Sequence, residues 1–271
     1  MLHPDWIVPE WPAPQTVCAV VTTRAGGVSQ GRWGHDSGGG MNLGAAAGDN
    51  DDLVRANHER LQALLPSPPR WLRQQHGARV VDLDALMPRA DDDDGYQRGN
   101  ANWLGAVAQA DAALTMTPGV VAAVQVADCL PVFLTDMRGR AVGAVHAGWR
   151  GLAAGVIQNA VAAMRLQLSA AGAEILAWLG PAIGPLRFEV GAEVLAAMQA
   201  RLPDAERAFE LAGAGKYRAD LFALARQALQ LAGVTKIYGG GLCTYSDPRR
   251  FYSFRRDRIT GRHAALIWRT E

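Results

Sequence analysis

Apolar residues fall in short blocks along this chain, and four of the blocks follow one another almost without a break. Residues 112–116, 120–126, 130–135 and 140–145 each read as a strand that is apolar at consecutive rather than alternate positions. A strand with one wet face alternates apolar and polar side chains, so unbroken runs predict a sheet covered on both faces. Further strands are expected over 17–23, 71–75, 174–179, 235–238 and 264–268. Helical spacing marks 151–169, where Val156, Ala160, Ala163, Met164 and Leu168 share one side, and also 191–201 and 220–232. Asn50 or Asp51 can cap another helix that runs to about Leu65 and stops at Pro66-Ser67-Pro68-Pro69. Strands interleaved with helices, without repeat or linker, predict a mixed α/β fold. The expectation is a single domain over 1–271, with central, mostly buried β-sheets covered by helices on both sides.

Two stretches lack periodicity. Residues 31–48 are rich in glycine and are expected to form an ordered loop. Residues 91–102 begin with four aspartates and contain few apolar residues; they read as a solvated loop, because the ligand spacing of a calcium-binding EF-hand is absent.

The chemistry sits where strands stop. The 71–75 segment ends at His76-Gly77, the 120–126 strand at Ala127-Asp128-Cys129, and the 140–145 strand at His146-Ala147-Gly148. One thiol and two imidazoles suit zinc, and three protein ligands leave a fourth position for water or substrate. Fifty-two residues lie between His76 and Cys129 and sixteen between Cys129 and His146, so no close ligand pair exists and the fold must assemble the site. A buried thiol and two hydrogen-bonded histidines are the plainer alternative. Small residues after both histidines favour the ligand reading, since they let backbone and substrate approach closely.

Composition narrows the partners. A formal net charge of +1 over 271 residues argues against nucleic acid as a ligand. No apolar run approaches the ~18 residues of a membrane helix, and Met1-Leu2-His3-Pro4-Asp5-Trp6 lacks the start of a signal peptide. Three cysteines, Cys18, Cys129 and Cys243, suit a reducing compartment better than a disulfide framework. The reading is a soluble cytoplasmic monomer with no membrane partner. Arg249, Arg250, Arg255, Arg256, Arg258 and Arg262 form the one basic cluster, which is either a solvated loop or an anion site.

These residues compose a signature. Thr22-Thr23-Arg24-Ala25-Gly26-Gly27-Val28-Ser29, Asn42-Leu43-Gly44, Gln75-His76-Gly77, Asp128-Cys129-Leu130-Pro131 and His146-Ala147-Gly148-Trp149-Arg150-Gly151 occur in order. Gly180-Pro181-Ala182-Ile183-Gly184-Pro185, Tyr252-Ser253-Phe254-Arg255-Arg256-Asp257 and Thr260-Gly261-Arg262 follow. Over nearly its whole length the chain resembles the YfiH family, also named the laccase-domain or polyphenol-oxidase family and the peptidoglycan editing factor. The resemblance implies a zinc held by His76, Cys129 and His146, the same residues serving catalysis. It implies phosphorolysis of adenosine, inosine, guanosine or methylthioadenosine to base and ribose 1-phosphate, and hydrolytic deamination of adenosine. Arg24 and Asn42 match positions that look like part of the substrate pocket. For the phosphate, Arg24, the 146–151 turn and C-terminal arginines such as Arg255 are candidates. The chain departs from the family pattern at Gln75, commonly apolar, and at Arg187-Phe188, commonly Cys-Tyr.

A zinc in such a site lowers the pKa of bound water toward ~7. Asp128 is the nearest carboxylate, yet strand neighbours point to opposite faces, so it reads as a supporting group rather than a proton shuttle. Two other classes stay open. One is a metal-free hydrolase that edits peptidoglycan precursors with Cys129 as nucleophile and His146 as base. The other is a copper-dependent polyphenol oxidase, against which the six histidines of the chain are few.

Overall fold

The computed structural model describes residues 1–36, 38–86 and 108–271. The acidic stretch 91–102 lies outside the described residues. Two sheets stacked face to face hold the core. The larger has six strands in the order Lys236–Gly239, Ile175–Leu179, Leu130–Asp136, Val142–Ala147, Ala112–Thr115 and Val80–Asp82. Its four central strands pair antiparallel and both edge strands pair parallel. The smaller sheet is antiparallel, in the order Val17–Val21, His263–Arg269 and Ala122–Val126.

Six helices lie among the described residues: α1 (Asp51–Gln62), α2 (Trp149–Ala154), α3 (Val156–Gln167), α4 (Ala192–Gln199), α5 (Leu221–Leu231) and α6 (Phe254–Asp257). Side chains alternate along each strand. Leu130, Val132 and Leu134 therefore meet Ile157 and Met164 of α3 and Leu224 of α5 on one face. Phe133, with Val142, Ala144 and Trp178, meets Val21, Val124 and Ile267 of the smaller sheet on the other. Leu61 of α1 covers the outer face of the smaller sheet against Val20, Ala123 and Leu266. Helices thus flank the pair of sheets on both outer sides. Every residue of Leu130–Asp136 and Val142–Ala147 is buried, which is the physical origin of the unbroken apolar runs.

Boundaries differ where local backbone chemistry overrides the pattern. The helix expected over 151–169 is two helices, because Gly155 sits at φ +89°, ending α2 and starting α3. Apolar spacing continues across the break and does not register it. Only Leu72–Arg73 of the 71–75 segment forms a strand. Beyond it the Gln74 side chain takes over, accepting from the Gln125 amide at 2.7 Å and donating to the Gln125 carbonyl at 2.8 Å. Asn50 caps α1 by accepting from the amides of Asp52 and Leu53, and Asp220 caps α5 in the same way. The 31–48 loop carries the short strand Gly39–Gly40 and single 3-10 turns at Gly31–Trp33 and Ala45–Ala47. An antiparallel pair, Phe209–Gly213 with Lys216–Ala219, has no counterpart in the hydrophobic pattern; its outer positions are largely exposed. Among the described residues no helix is long and apolar enough to cross a membrane.

Candidate metal centre and arginine-lined cavity

Register brings the thiol and one imidazole together. In the antiparallel pair of central strands His146 lies opposite Pro131 and Ala147 opposite Leu130. Cys129 precedes Leu130 directly, so the two residues emerge at one end of the sheet. His76 arrives from the loop after Leu72–Arg73. The ligand atoms of His76, Cys129 and His146 all lie within 4.8 Å of one another. A tetrahedral zinc holds such donors roughly 3.5 Å apart, given its bond lengths, so small side-chain movements suffice. The two imidazole planes meet at 78°, edge to face. His146 is buried, Cys129 half-buried and His76 exposed, leaving the cluster open on one side.

Asp111 builds the back of the site. Its buried carboxylate lies 2.8 Å from His146 Nδ1 and accepts from the amides of Gln75, His76 and Gly77. With Nδ1 so engaged, Nε2 of His146 is the nitrogen left for Cys129 or a metal. His76 has φ +56° and Asp128 φ +88°, left-handed values that side chains rarely adopt. The amide bonds to Asp111 hold the first turn in place. Burial pushes the Asp111 carboxyl up, but His146 and the amides outweigh it and keep it below its ordinary value. Burial likewise raises the Cys129 thiol, while the charge of His146 and hydrogen bonds from both histidines bring it down to about 6. Burial lowers His146, while the Cys129 thiolate and Asp111 lift it to about 9. The protein without a metal therefore favours a thiolate–imidazolium pair at neutral pH.

Neither the hydrophobic pattern nor the ligand spacing gives Asp111 a role. An acid between Ala110 and Ala112, at the head of a strand that is otherwise apolar, was the available signal.

Space around the sulfur is limited. A side-chain carbon on Gly148 would sit 2.9 Å from Cys129 Sγ and 3.2 Å from His76 Cδ2. Glycine here is a requirement of the ligand cluster rather than of the backbone, whose φ of −71° any residue can adopt.

The cluster opens into a cavity of about 540 Å³, within the usual range for small-molecule sites. Phe188 and Phe254 give it apolar walls, and Arg150, Arg255, Arg258 and Arg262 line it as well. None of these four arginines pairs with a carboxylate among the described residues. Arg255 spends one nitrogen on the Glu189 carbonyl at 2.6 Å, and Arg262 spends Nη1 on the Thr260 and Gly261 carbonyls. Much of their donor capacity is left for an anion.

Arg24 and Asn42 lie elsewhere. All three Arg24 guanidinium nitrogens go to carbonyl oxygens, of Gly34, Arg32 and Pro248, and the group lies over the Tyr252 ring. Asn42 is fully buried and accepts from the amides of Gly44 and Arg262. Neither lines the cavity. Asn42 instead fixes the backbone that carries Arg262. Arg256 does similar work, donating to the Thr244, Tyr245 and Phe251 carbonyls. Cys18 lies in the Val17–Val21 strand, and Cys243 Sγ accepts from the Gly184 amide.

A family model described as multi-copper polyphenol oxidoreductase laccase matches residues 18–270. A Pseudomonas aeruginosa protein named purine nucleoside phosphorylase is 45% identical, covering 97% of this chain and 98% of its own. Purine nucleoside phosphorylase YfiH of Escherichia coli is 46% identical over the same shares. Among solved structures, a Neisseria meningitidis protein superposes with a TM-score of 0.84 at 43% identity, covering 98% of this chain and 100% of that one. YlmD from Geobacillus stearothermophilus superposes with a TM-score of 0.80 at 32% identity, covering 95% and 93%. The chain belongs to this laccase-like YfiH family.

Proposed function

We propose that this chain, over residues 1–271, is one catalytic unit that cleaves purine nucleosides with orthophosphate to free base and ribose 1-phosphate, and that it also deaminates adenosine. The observation that carries the reading is a single cavity uniting His76, Cys129 and His146 with four arginines that pair with no carboxylate among the described residues. The names of its relatives point the same way.

The donor set fits zinc, since a buried thiolate and two imidazoles, one of them backed by Asp111, are what that ion takes. When bound there it supplies a Lewis acid and a positive charge beside the substrate. The chain's own residues supply the rest. Arg255 and Arg262, with Arg258 and Arg150 toward solvent, hold the phosphate dianion by charge-assisted hydrogen bonds. The held phosphate oxygen attacks ribose C1′, the bond from C1′ to the purine nitrogen breaks, and its electron pair leaves on the base, which takes up a proton. Phe188 and Phe254 offer the base apolar surface. Arg24 serves by packing on the Tyr252 ring and tying the Arg32 and Gly34 carbonyls, and Asn42 by bracing the backbone that carries Arg262. The ligands are a nucleoside and orthophosphate, and the working form is a cytoplasmic monomer.

Assaying adenosine and inosine at varied orthophosphate, with bases resolved by chromatography, tests this. Base release should require phosphate and yield ribose 1-phosphate, while conversion of adenosine to inosine should not require it. Base release that ignores phosphate would make the protein a nucleosidase.

The Cys129–His146 thiolate–imidazolium pair favours one rival, a cysteine hydrolase acting on peptidoglycan precursors. Turnover of no nucleoside, together with full hydrolase activity after chelation, would select it.

A further inference from the structure

Asp128 stands between the Cys129 loop and the arginine segment and belongs to neither the metal ligands nor the anion donors. It is 7% exposed and has a left-handed backbone, and it lines the cavity. One carboxylate oxygen accepts from the Thr244 hydroxyl at 2.6 Å, the other from the Arg255 amide at 2.6 Å. Its own carbonyl accepts from the Ile183 amide, and the Thr244 amide donates to Ala182. The segment at Ile183 thus reaches the Asp128 backbone, and two others, at Thr244 and at Arg255, meet on its side chain. The last of them carries Arg255, Arg258 and Arg262, and Arg256 stiffens it by tying it to Thr244 and Tyr245.

Both oxygens are committed to structural donors at short range. A proton shuttle needs an oxygen aimed at the reacting atoms, whereas a dock needs what is seen: two strong bonds to two different segments. The α6 turn has only four residues and a Ser253 cap, too little to hold its own position.

We propose that Asp128 is a positioning residue that docks the arginine segment onto the Cys129 loop and so sets the affinity of the cavity for phosphate. This rests on the phosphorolysis reading. An asparagine at this position can still accept from Thr244, but turns an N–H toward the Arg255 amide, where two donors then face each other.

The test compares wild type, Asp128→Asn and Thr244→Val, all metal-loaded. Orthophosphate binding is measured by calorimetry, beside zinc content, melting temperature and steady-state kinetics. Asp128→Asn should weaken orthophosphate about tenfold, the scale of one charge-assisted bond. Its phosphate KM should rise in step, while kcat at saturating phosphate, nucleoside KM and zinc content stay close to wild type. Thr244→Val, which frees one carboxylate oxygen, should shift phosphate affinity in the same direction by a smaller factor, and it decides the matter if Asp128→Asn does not fold. Unchanged phosphate affinity with a collapsed kcat would overturn the proposal and make Asp128 a proton carrier. Loss of zinc, or equal damage to both KM values, would reduce it to a support of Cys129. A wild type that binds no orthophosphate would remove the phosphorolysis reading itself, and this proposal with it.

Discussion

Asp111 Oδ1 lies 2.8 Å from His146 Nδ1, and the same carboxylate gathers the amides of Gln75, His76 and Gly77. One buried acid thus orients two of the three candidate metal ligands, one through its ring and one through its backbone. Asp111→Asn keeps an acceptor but removes the charge and half the amide contacts. Metal affinity should fall about 10- to 100-fold, the usual effect of losing such a partner. Competition against a chromophoric chelator measures it.

Gly148→Ala should evict or weaken the metal without unfolding the protein. The added carbon meets Cys129 Sγ at 2.9 Å, while the backbone angle is open to alanine. Zinc content by elemental analysis, beside an unchanged circular dichroism spectrum, checks both halves of the expectation.

Metal binding should depend on pH with a defined sign. The Cys129 thiol titrates near about 6 and His146 near about 9, so between them the empty pair carries one proton, on His146. The metal must displace that proton. Affinity should rise about tenfold per pH unit across this window, flatten above about 9 and steepen below about 6 as the thiolate also protonates. Calorimetric titration in buffers of different ionisation enthalpy should count about one proton released from this pair at neutral pH.

Two other histidines govern acid stability. Burial holds His263 down to about 3 and His58 down to about 4, below their ordinary 6.5. Nε2 of His263 accepts from the Tyr252 amide at 2.8 Å, a bond that only the neutral ring can make. Both shifts are downward, so the unfolded chain binds more protons between these values. Stability is therefore full above about pH 6.5 and falls with acid at ~1.4 kcal/mol per pH unit for each group. Urea midpoints between pH 7 and 5 test it, and a pH-independent midpoint would contradict it.

Cys129→Ala should abolish metal retention and turnover, while Cys18→Ala and Cys243→Ala should cost on the order of 1 kcal/mol of stability and leave turnover in place. Equal loss of activity in a folded Cys243→Ala would place the site wrongly.

The strands were legible because their cause is local, and the candidate triad because its residue types suit a metal, although only the fold brings them together. Burial on both faces writes the apolar runs of 130–135 and 141–145, and Cys129 and His146 stand beside such runs. His76 instead follows the polar Arg73-Gln74-Gln75 and was marked only by its residue type and the glycine after it. The rest depends on tertiary contacts that leave weaker marks. The break at Gly155 is hidden because apolar spacing continues through it. Asp111 stands 35 residues from both His76 and His146, and only the fold reveals what it holds. Arg24 matches a family motif, yet its guanidinium is spent on backbone carbonyls, a use no motif discloses. Arg258, by contrast, appears in the sequence only as a member of a basic cluster, and Arg262 also only as the end of a motif without a stated role; both acquire meaning from the cavity they share.

If the proposed phosphorolysis holds, the arginine-lined cavity delivers phosphate, not water, to the sugar. Inosine turned over by the zinc-loaded enzyme in normal water with oxygen-18 orthophosphate, followed by mass spectrometry of the sugar product, tests this directly. The expected product is ribose 1-phosphate that keeps all four labelled oxygens, one of them now bonded to C1′. Free ribose as the product, with its anomeric oxygen drawn from water, would contradict it.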